Sequence, residues 1–210
     1  MYHHIQTEAE AKLKNQTSLT VTPDFFRQHL QYLKDKNYTI IEPKDLIEFF
    51  NGTKNLSGKL AIITLDDAYE DNYSKAYSIL KEFNNKATIF TPTGLTNNLD
   101  YLTWEEINQM KDLVYFGNHT WSHHSASGTK EVLNTEISLA DKQLSEKGLN
   151  SDKVFAYPYG GTSIEAINIL KENNYALAFT TKYGNIMCKN QSLELPRIRI
   201  GNRPLGSFGL

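Results

Sequence analysis

Cysteine is almost missing from this chain of 210 residues. Cys188 stands alone, so no intrachain disulfide can form and no cysteine cluster can bind a metal. An excess of charge of one sign is missing too. The formal net charge is -2 at pH 7, without the basic or acidic bias that draws a protein to nucleic acid or to a membrane surface. No apolar run is long enough for a membrane-spanning helix, and no secretory signal pattern is present. Low-complexity tracts, internal repeats and a convincing linker are absent, which points to a single domain over residues 1–210. Hydrophobic and charged fractions of 40% and 22% are ordinary for a globular domain large enough to bury a sizeable core. The chain opens abruptly at Met1-Tyr2-His3-His4-Ile5, which reads as the end of a strand and suggests a piece trimmed from a longer protein. The missing signal therefore says little about compartment.

What is present alternates between strand and helix. Residues 6 to 21 are polar without a clear period and read as a loop. Thr22-Pro23-Asp24 starts a helix with Phe26, Leu30 and Leu33 as its apolar stripe, and His29 reads as an exposed-face residue of it. A strand at 38–41 is followed by a helix from Pro43 to Phe50, stopped by Asn51-Gly52. Leu60 to Leu65 is apolar or β-branched almost without a break and reads as one strand buried on both faces. Further helices are expected at 71–83, 103–111, 129–147 and 163–173, with strands at 87–90, 114–116, 154–156, 175–180 and 195–200. This order implies an α/β fold: a distorted (β/α) barrel of about seven to eight mostly parallel strands, with an open doubly wound sheet as the alternative. Both place an active site at the carboxyl ends of the strands. His3, Asp66, Asp67, His119 and the Tyr157-Pro158-Tyr159 segment all fall there.

Asp66 and Asp67 end the apolar run. Adjacent carboxylates at the end of a buried strand repel each other and lose hydration, so a cation, a shared proton or a helix N-terminus must compensate. Neighbouring strand side chains point opposite ways, so one can bind a metal while the other stays free as a base. His119 and His123 follow a strand at a spacing that, on a helical turn, brings two imidazoles to one face. Two imidazoles and the Asp67 carboxylate would hold a metal with positions left open for water and substrate. His124 lies about 100° away around such a turn and reads as a neighbour, not a ligand.

The residues resemble those of a family, the polysaccharide deacetylases of the metal-dependent carbohydrate esterase type. Thr64-Leu65-Asp66-Asp67 is similar to the family's Thr-Phe-Asp-Asp-Gly, the His119 and His123 pair to its paired-histidine motif, and Tyr157-Pro158-Tyr159-Gly160 to its Arg-x-Pro-Tyr-Gly. The likeness spans most of the chain. It implies Asp66 as catalytic base and Asp67, His119 and His123 as ligands of one divalent metal ion, zinc first, with cobalt, nickel or iron as alternatives. It also implies that the backbone N–H of Tyr159 binds the oxyanion.

Three departures are visible. Ala68 replaces the family glycine, Ala156 stands where the motif's arginine would be, and the C-terminal Leu-x-His that supplies the acid is absent from Leu195-Pro196-Arg197-Ile198-Arg199-Ile200. Together they look like the poly-β-1,6-N-acetylglucosamine N-deacetylases, whose early Tyr-His segment brings the acid. By that likeness His3 is the acid, protonated near neutral pH, and Arg197 or Arg199 replaces the missing arginine. The implied substrate is an N-acetylglucosamine polysaccharide, in an extracellular or cell-envelope setting. Chitooligosaccharide, peptidoglycan or O-acetylated xylan are the other substrates, and an inactive carbohydrate-binding barrel is the reading from another class. Tyr69, Trp104, Trp121 and Tyr157 are candidate sugar-stacking rings.

Overall fold

A computed structural model describes residues 1–210. β1 (His4–Ile5) leads through Thr7, whose hydroxyl exchanges hydrogen bonds with Glu10 in a capping box, into α1 (Glu8–Leu13). β2 (Thr20–Val21) precedes α2 (Pro23–Asp35), which Thr22 caps. β3 (Tyr38–Ile40), α3 (Pro43–Phe50), β4 (Lys59–Ala61) and β5 (Thr64–Asp66) follow. A π-helical stretch over Asn72–Tyr77 runs into α4 (Ser78–Phe83). Then come β6 (Ala87–Thr91), α5 (Trp104–Gln109), β7 (Val114–Asn118) and α6 (Lys130–Glu146). β8 (Val154–Ala156), α7 (Ile164–Glu172), β9 (Leu177–Tyr183) and β10 (Leu195–Arg197) complete the chain. Thr103, Thr129 and Ser163 cap α5, α6 and α7 with side-chain oxygens that accept a free N–H of the first turn. No helix is long and apolar enough to cross a membrane.

β5 to β10 form one six-stranded parallel sheet in chain order, with no reversal. A doubly wound sheet requires such a reversal, so the strands curl the other way, into a barrel. The Met1–Tyr2 segment bridges the two edges. On one side Tyr2 N donates to the Thr64 carbonyl at 2.8 Å and Asp66 N to the Tyr2 carbonyl at 2.9 Å. On the other, Met1 N donates to the Ile198 carbonyl at 2.9 Å and Ile200 N to the Met1 carbonyl at 3.0 Å. Six strands plus this segment close the ring. β1 with β2 and β3 with β4 are short parallel side pairs.

Alternation along the strands sorts the core. Phe90, Val154, Ala156, Leu177, Phe179 and Leu195 fill the interior. Ile89, Leu65 and Phe116 face outward onto α2 and α4, while Phe155 and Ala178 face α6 and α7. Gly117 is needed where it stands: a Cβ there would lie 2.7 Å from the Phe90 ring.

The sequence expectations are corrected at four places. The 6–21 stretch is not a bare loop, because the Thr7–Glu10 box nucleates α1. The Leu60–Leu65 run is not one strand. β4 pairs with β3 and is only half-buried, and the ladder restarts in β5, which is buried throughout. The helix from residue 71 opens with the π-helical stretch. His29 is fully buried: Tyr2 donates to its Nδ1 at 3.3 Å, and its Nε2 donates to the Arg203 carbonyl at 2.8 Å.

The broken run gives a test. Leu65→Ala empties a fully buried position and should cost roughly 2–5 kcal/mol. Leu60→Ala, on the half-buried β4, should cost less than half as much. Urea unfolding of the two variants measures the ratio, and equal losses would mean that the run packs as one strand.

Candidate active site

The site lies at the carboxyl end of the barrel, where β5 stops. Asp66 is buried and turns inward. Arg197 of β10 meets it as a fork, Nη1 to Oδ1 at 2.7 Å and Nη2 to Oδ2 at 2.6 Å. The guanidinium also donates from Nε to the Thr180 carbonyl at 2.9 Å and from Nη1 to Thr64 Oγ1 at 3.2 Å. The rings of Phe90 and Phe179 flank it, with centroids 5.6 and 6.0 Å away. Burial alone would push the Asp66 carboxyl up. Arg197, first through its charge and also through its hydrogen bonds, outweighs it and holds the group below its usual range. Arg199, the other arginine considered, donates instead to the Ser18 carbonyl at 3.2 Å.

Asp67 leaves the strand. Its φ is 76° and that of Ala68 is 54°, two successive left-handed residues. Glycine would hold such a turn without strain, so Ala68 is a costly occupant at roughly 1–3 kcal/mol. The two carboxylates thus diverge through a change of backbone hand, not by strand alternation. The turn aims Asp67 at two imidazoles, with Oδ1 3.3 Å from His119 Nε2 and 3.0 Å from His123 Nε2. The histidines do not share a helical turn. His119 sits at the end of β7, and His123 reaches back through a loop in which Thr120 and His123 have φ of 64° and 62°. His124 is held at its own loop by the Ser125 carbonyl.

This arrangement fits a cation. His119 Nδ1 lies 2.7 Å from the Ala156 carbonyl, which can only accept, so Nδ1 carries the proton and Nε2 presents a lone pair to Asp67. Asp67 Oδ1 is buried without a hydrogen-bond donor. One ligand atom from each of Asp67, His119 and His123 lies within 4.8 Å of the others. Lone pairs converging without a proton between them repel unless a positive charge stands there, and two nitrogens with one carboxylate suit a divalent ion.

Two more groups face this point. Tyr159 has a φ of 60°, and its exposed ring packs edge-on against His123 at 4.7 Å. Gly160 beside it cannot carry a side chain, because a Cβ would fall 1.9 Å from Thr181 Oγ1. His3 is half-buried and electrostatically coupled to Asp66 and Asp67. Burial lowers its pKa by more than those carboxylates raise it, so it rests neutral, contrary to the expectation that it stays protonated. His4 points the other way: its Nδ1 lies 2.6 Å from Asp71 and its ring stacks on Tyr69 at 3.6 Å.

Among the candidate sugar platforms, Tyr157 is removed, since it is buried and donates to the Leu193 carbonyl. Trp104 packs half-buried against the core. Trp121 is 39% exposed. Tyr159, more exposed, had not been expected to stack. Sequence reasoning also missed Asn118 and Glu136, which hold the loop between the histidines. The readable signal was a carboxylate at 136 inside the apolar stripe of Leu133, Ile137, Ala140 and Leu144.

The chain matches the family described as polysaccharide deacetylase over residues 53–178. YxkH of Bacillus subtilis, a presumed polysaccharide deacetylase, is 30% identical over 98% of this chain and 77% of that protein. A poly-β-1,6-N-acetyl-D-glucosamine N-deacetylase of Staphylococcus epidermidis is 28% identical over 87% of this chain and 68% of its own length. The solved structure of the Streptococcus pyogenes deacetylase PplD in complex with acetate is similar at a TM-score of 0.88 and 32% identity, covering 95% of this chain and 90% of that one.

The Asp66–Arg197 pair predicts a pH signature in chelator-treated protein. Asp66 is held below its unfolded value of about 3.9, so its stabilisation is present above that pH and is lost as pH falls through the folded value. Arg197→Met leaves burial unopposed and raises the carboxyl. The variant should lose roughly 3–5 kcal/mol at pH 7, the cost of stranding a buried charge. That deficit should shrink as pH falls from 7 toward 4 and Asp66 protonates. Urea unfolding across this range checks it, and a deficit independent of pH contradicts it.

Proposed function

The chain belongs to the polysaccharide deacetylase family and is a hydrolase, and from that premise we propose that it is a metal-dependent N-deacetylase of an N-acetylglucosamine polymer, foremost poly-β-1,6-N-acetylglucosamine. The observation that carries the reading is the pairing of two unlike carboxylates at one strand end. Asp66 is bound to an arginine and Asp67 faces two imidazoles. Asp67, His119 and His123 would hold one divalent ion, with zinc suited to this donor set. When bound, the ion supplies Lewis-acid polarisation of the acetyl carbonyl and lowers the pKa of water.

The chain's own residues do the rest. Asp66, kept anionic by Arg197, accepts the proton of the attacking water. The Tyr159 N–H, in a residue of left-handed φ beside His123, donates to the oxyanion that develops on the acetyl carbonyl. An amine leaves poorly unless protonated. His3 rests neutral, so in this scheme it takes up the proton that Asp66 has accepted and delivers it to the departing nitrogen. The ring of Tyr159 and the half-exposed Trp121 offer apolar faces to sugar rings at the rim. The β-1,6 preference draws on the relative from S. epidermidis, named for that polymer, and on Tyr2-His3 at the start of the chain. A polymer of this kind places the working site outside the cell or in the envelope. The other acetylated polymers use the same chemistry and differ only in rim contacts.

The test is acetate release, with a matching free amine left on the oligomer, from a β-1,6-linked N-acetylglucosamine oligomer, with zinc and with chelator. Wild type should release acetate only with metal. His3→Ala should retain metal yet lose roughly 10²–10⁴-fold in kcat on the amide. It should lose less on an acetyl ester with a good leaving group, which needs no proton. Equal losses on amide and ester would remove His3 from the acid role. Deacetylation of chitooligosaccharide in preference to the β-1,6 oligomer would replace the polymer.

A further inference from the structure

We propose that Glu136 is the positioning residue of the metal centre: its buried carboxylate, reaching from α6, fixes the loop between His119 and His123 and so sets the separation of the two imidazoles. The inference rests on the metal reading above.

Glu136 lies on the packed face of α6 among Leu133, Ile137, Ala140 and Leu144, and is only 8% exposed. A buried carboxylate is costly unless its charge is met. Here no lysine, arginine or histidine meets it. Three loop donors do: Trp121 N at 3.1 Å and Ser122 N at 2.8 Å, both to Oε2, and Ser122 Oγ at 2.8 Å to Oε1. Its burial therefore serves the loop and nothing else in the fold.

The loop needs that service. His119 is already fixed, since it ends β7, donates its N–H to the Thr91 carbonyl and is oriented by the Ala156 carbonyl. His123 has no strand or helix beneath it. Its place depends on the residues between, and the turn is built from unfavourable parts. Thr120 is β-branched at a φ of 64° and His123 has a φ of 62°, at roughly 1–3 kcal/mol each. Such conformations persist only where the surroundings over-determine them. The accounting of backbone groups shows how this is done. Asn118 Oδ1 accepts from Thr120 N at 2.8 Å, and Thr93 N and Gly94 N donate to the Thr120 and Trp121 carbonyls at 3.3 and 2.7 Å. Glu136 takes the two remaining N–H groups, between the two strained residues. Without it those donors lose their shared partner, and the turn can relax by flipping His123 away from Asp67.

The test is zinc affinity of the folded, chelator-stripped protein by competition with a chromophoric chelator, measured beside circular dichroism and metal-free Tm. Wild type should bind one zinc. Glu136→Ala should bind it about 10–100-fold more weakly, the span for partners that orient ligands. Glu136→Gln should stay within a few-fold of wild type, because one amide oxygen can still accept both N–H groups. A merely structural role would lower the metal-free Tm without moving the zinc affinity of folded protein, and that result overturns the proposal. If Glu136→Ala does not fold, Glu136→Asp decides instead: a carboxylate one methylene short should weaken zinc at least several-fold, and wild-type affinity overturns the proposal. A wild type that takes up no zinc, or a His123→Ala variant that matches it, overturns the metal reading itself. Intact zinc binding with an insensitive Glu136 overturns only the role of Glu136.

Discussion

The buried ion pair between Asp66 and Arg197 is the constraint around which the barrel is arranged. Both partners are out of water, so removing either would strand a charge. The fork geometry, the Thr180 carbonyl and the Thr64 hydroxyl satisfy four of the five guanidinium N–H groups, and the Phe90 and Phe179 rings cover its faces. This is the kind of over-determination a buried pair requires. It also spans the seam of the ring, since β5 and β10 are the outer strands of the sheet and only the Met1–Tyr2 segment lies between them. The pair that keeps the proposed base ionised therefore also ties the first and last strands of the sheet together. On the proposed reading, the electrostatics of the base and closure of the fold are one interaction.

Above this layer the structure trades regularity for aim. Asp67, Ala68, Thr120, His123 and Tyr159 all adopt left-handed φ, and all lie in the turns that follow β5, β7 and β8. Side chains on regular strands point into the barrel or away from it. None would converge on a point beyond the rim. Reversing the backbone hand just past a strand end turns the side chain, or the N–H of Tyr159, back toward the axis. Each reversal is destabilising, and each is held by a partner with few alternatives, such as Gly160 against Thr181 or Asn118 beneath Thr120.

Local signals in the sequence were reliable because their physics is local. The Thr103–Glu106 box, Pro43 with Asn51 beyond it, and Thr129 with Gly148 set helix limits within a residue or so of the structure. The same kind of box at Thr7 and Glu10 was legible and passed over because α1 is short and polar. The break in Leu60–Leu65 was not legible, since both halves are apolar and only their partners differ, β3 for one and β6 for the other. At the site, residue types and strand-end placement indicated which groups to bring together. Alternation could not choose between Arg197 and Arg199, which share a face; the choice is made where β10 ends, at Arg197. His29 was misplaced although it is adjacent to Leu30 and three residues from Phe26, on the apolar stripe of α2. How deeply His3 is buried, and hence its neutral resting state, depends on neighbours far away in the chain.

Counting charge at the strand end explains why two adjacent aspartates can have separate roles. Asp66 and Asp67 carry two negative charges, and Arg197 carries one positive. Arg197 is committed to Asp66 through both carboxylate oxygens, so the charge of Asp67 is left to the His119 and His123 imidazoles and to any cation beside them. On the proposed reading a cation is drawn to Asp67 and not shared between the aspartates, and Asp66 stays free to accept a proton. If Arg197 stood between the two carboxylates, the unmet charge would be spread over both and neither would be singled out for a cation. On that reading, the position of one guanidinium decides which aspartate is left to bind metal and which is left to react.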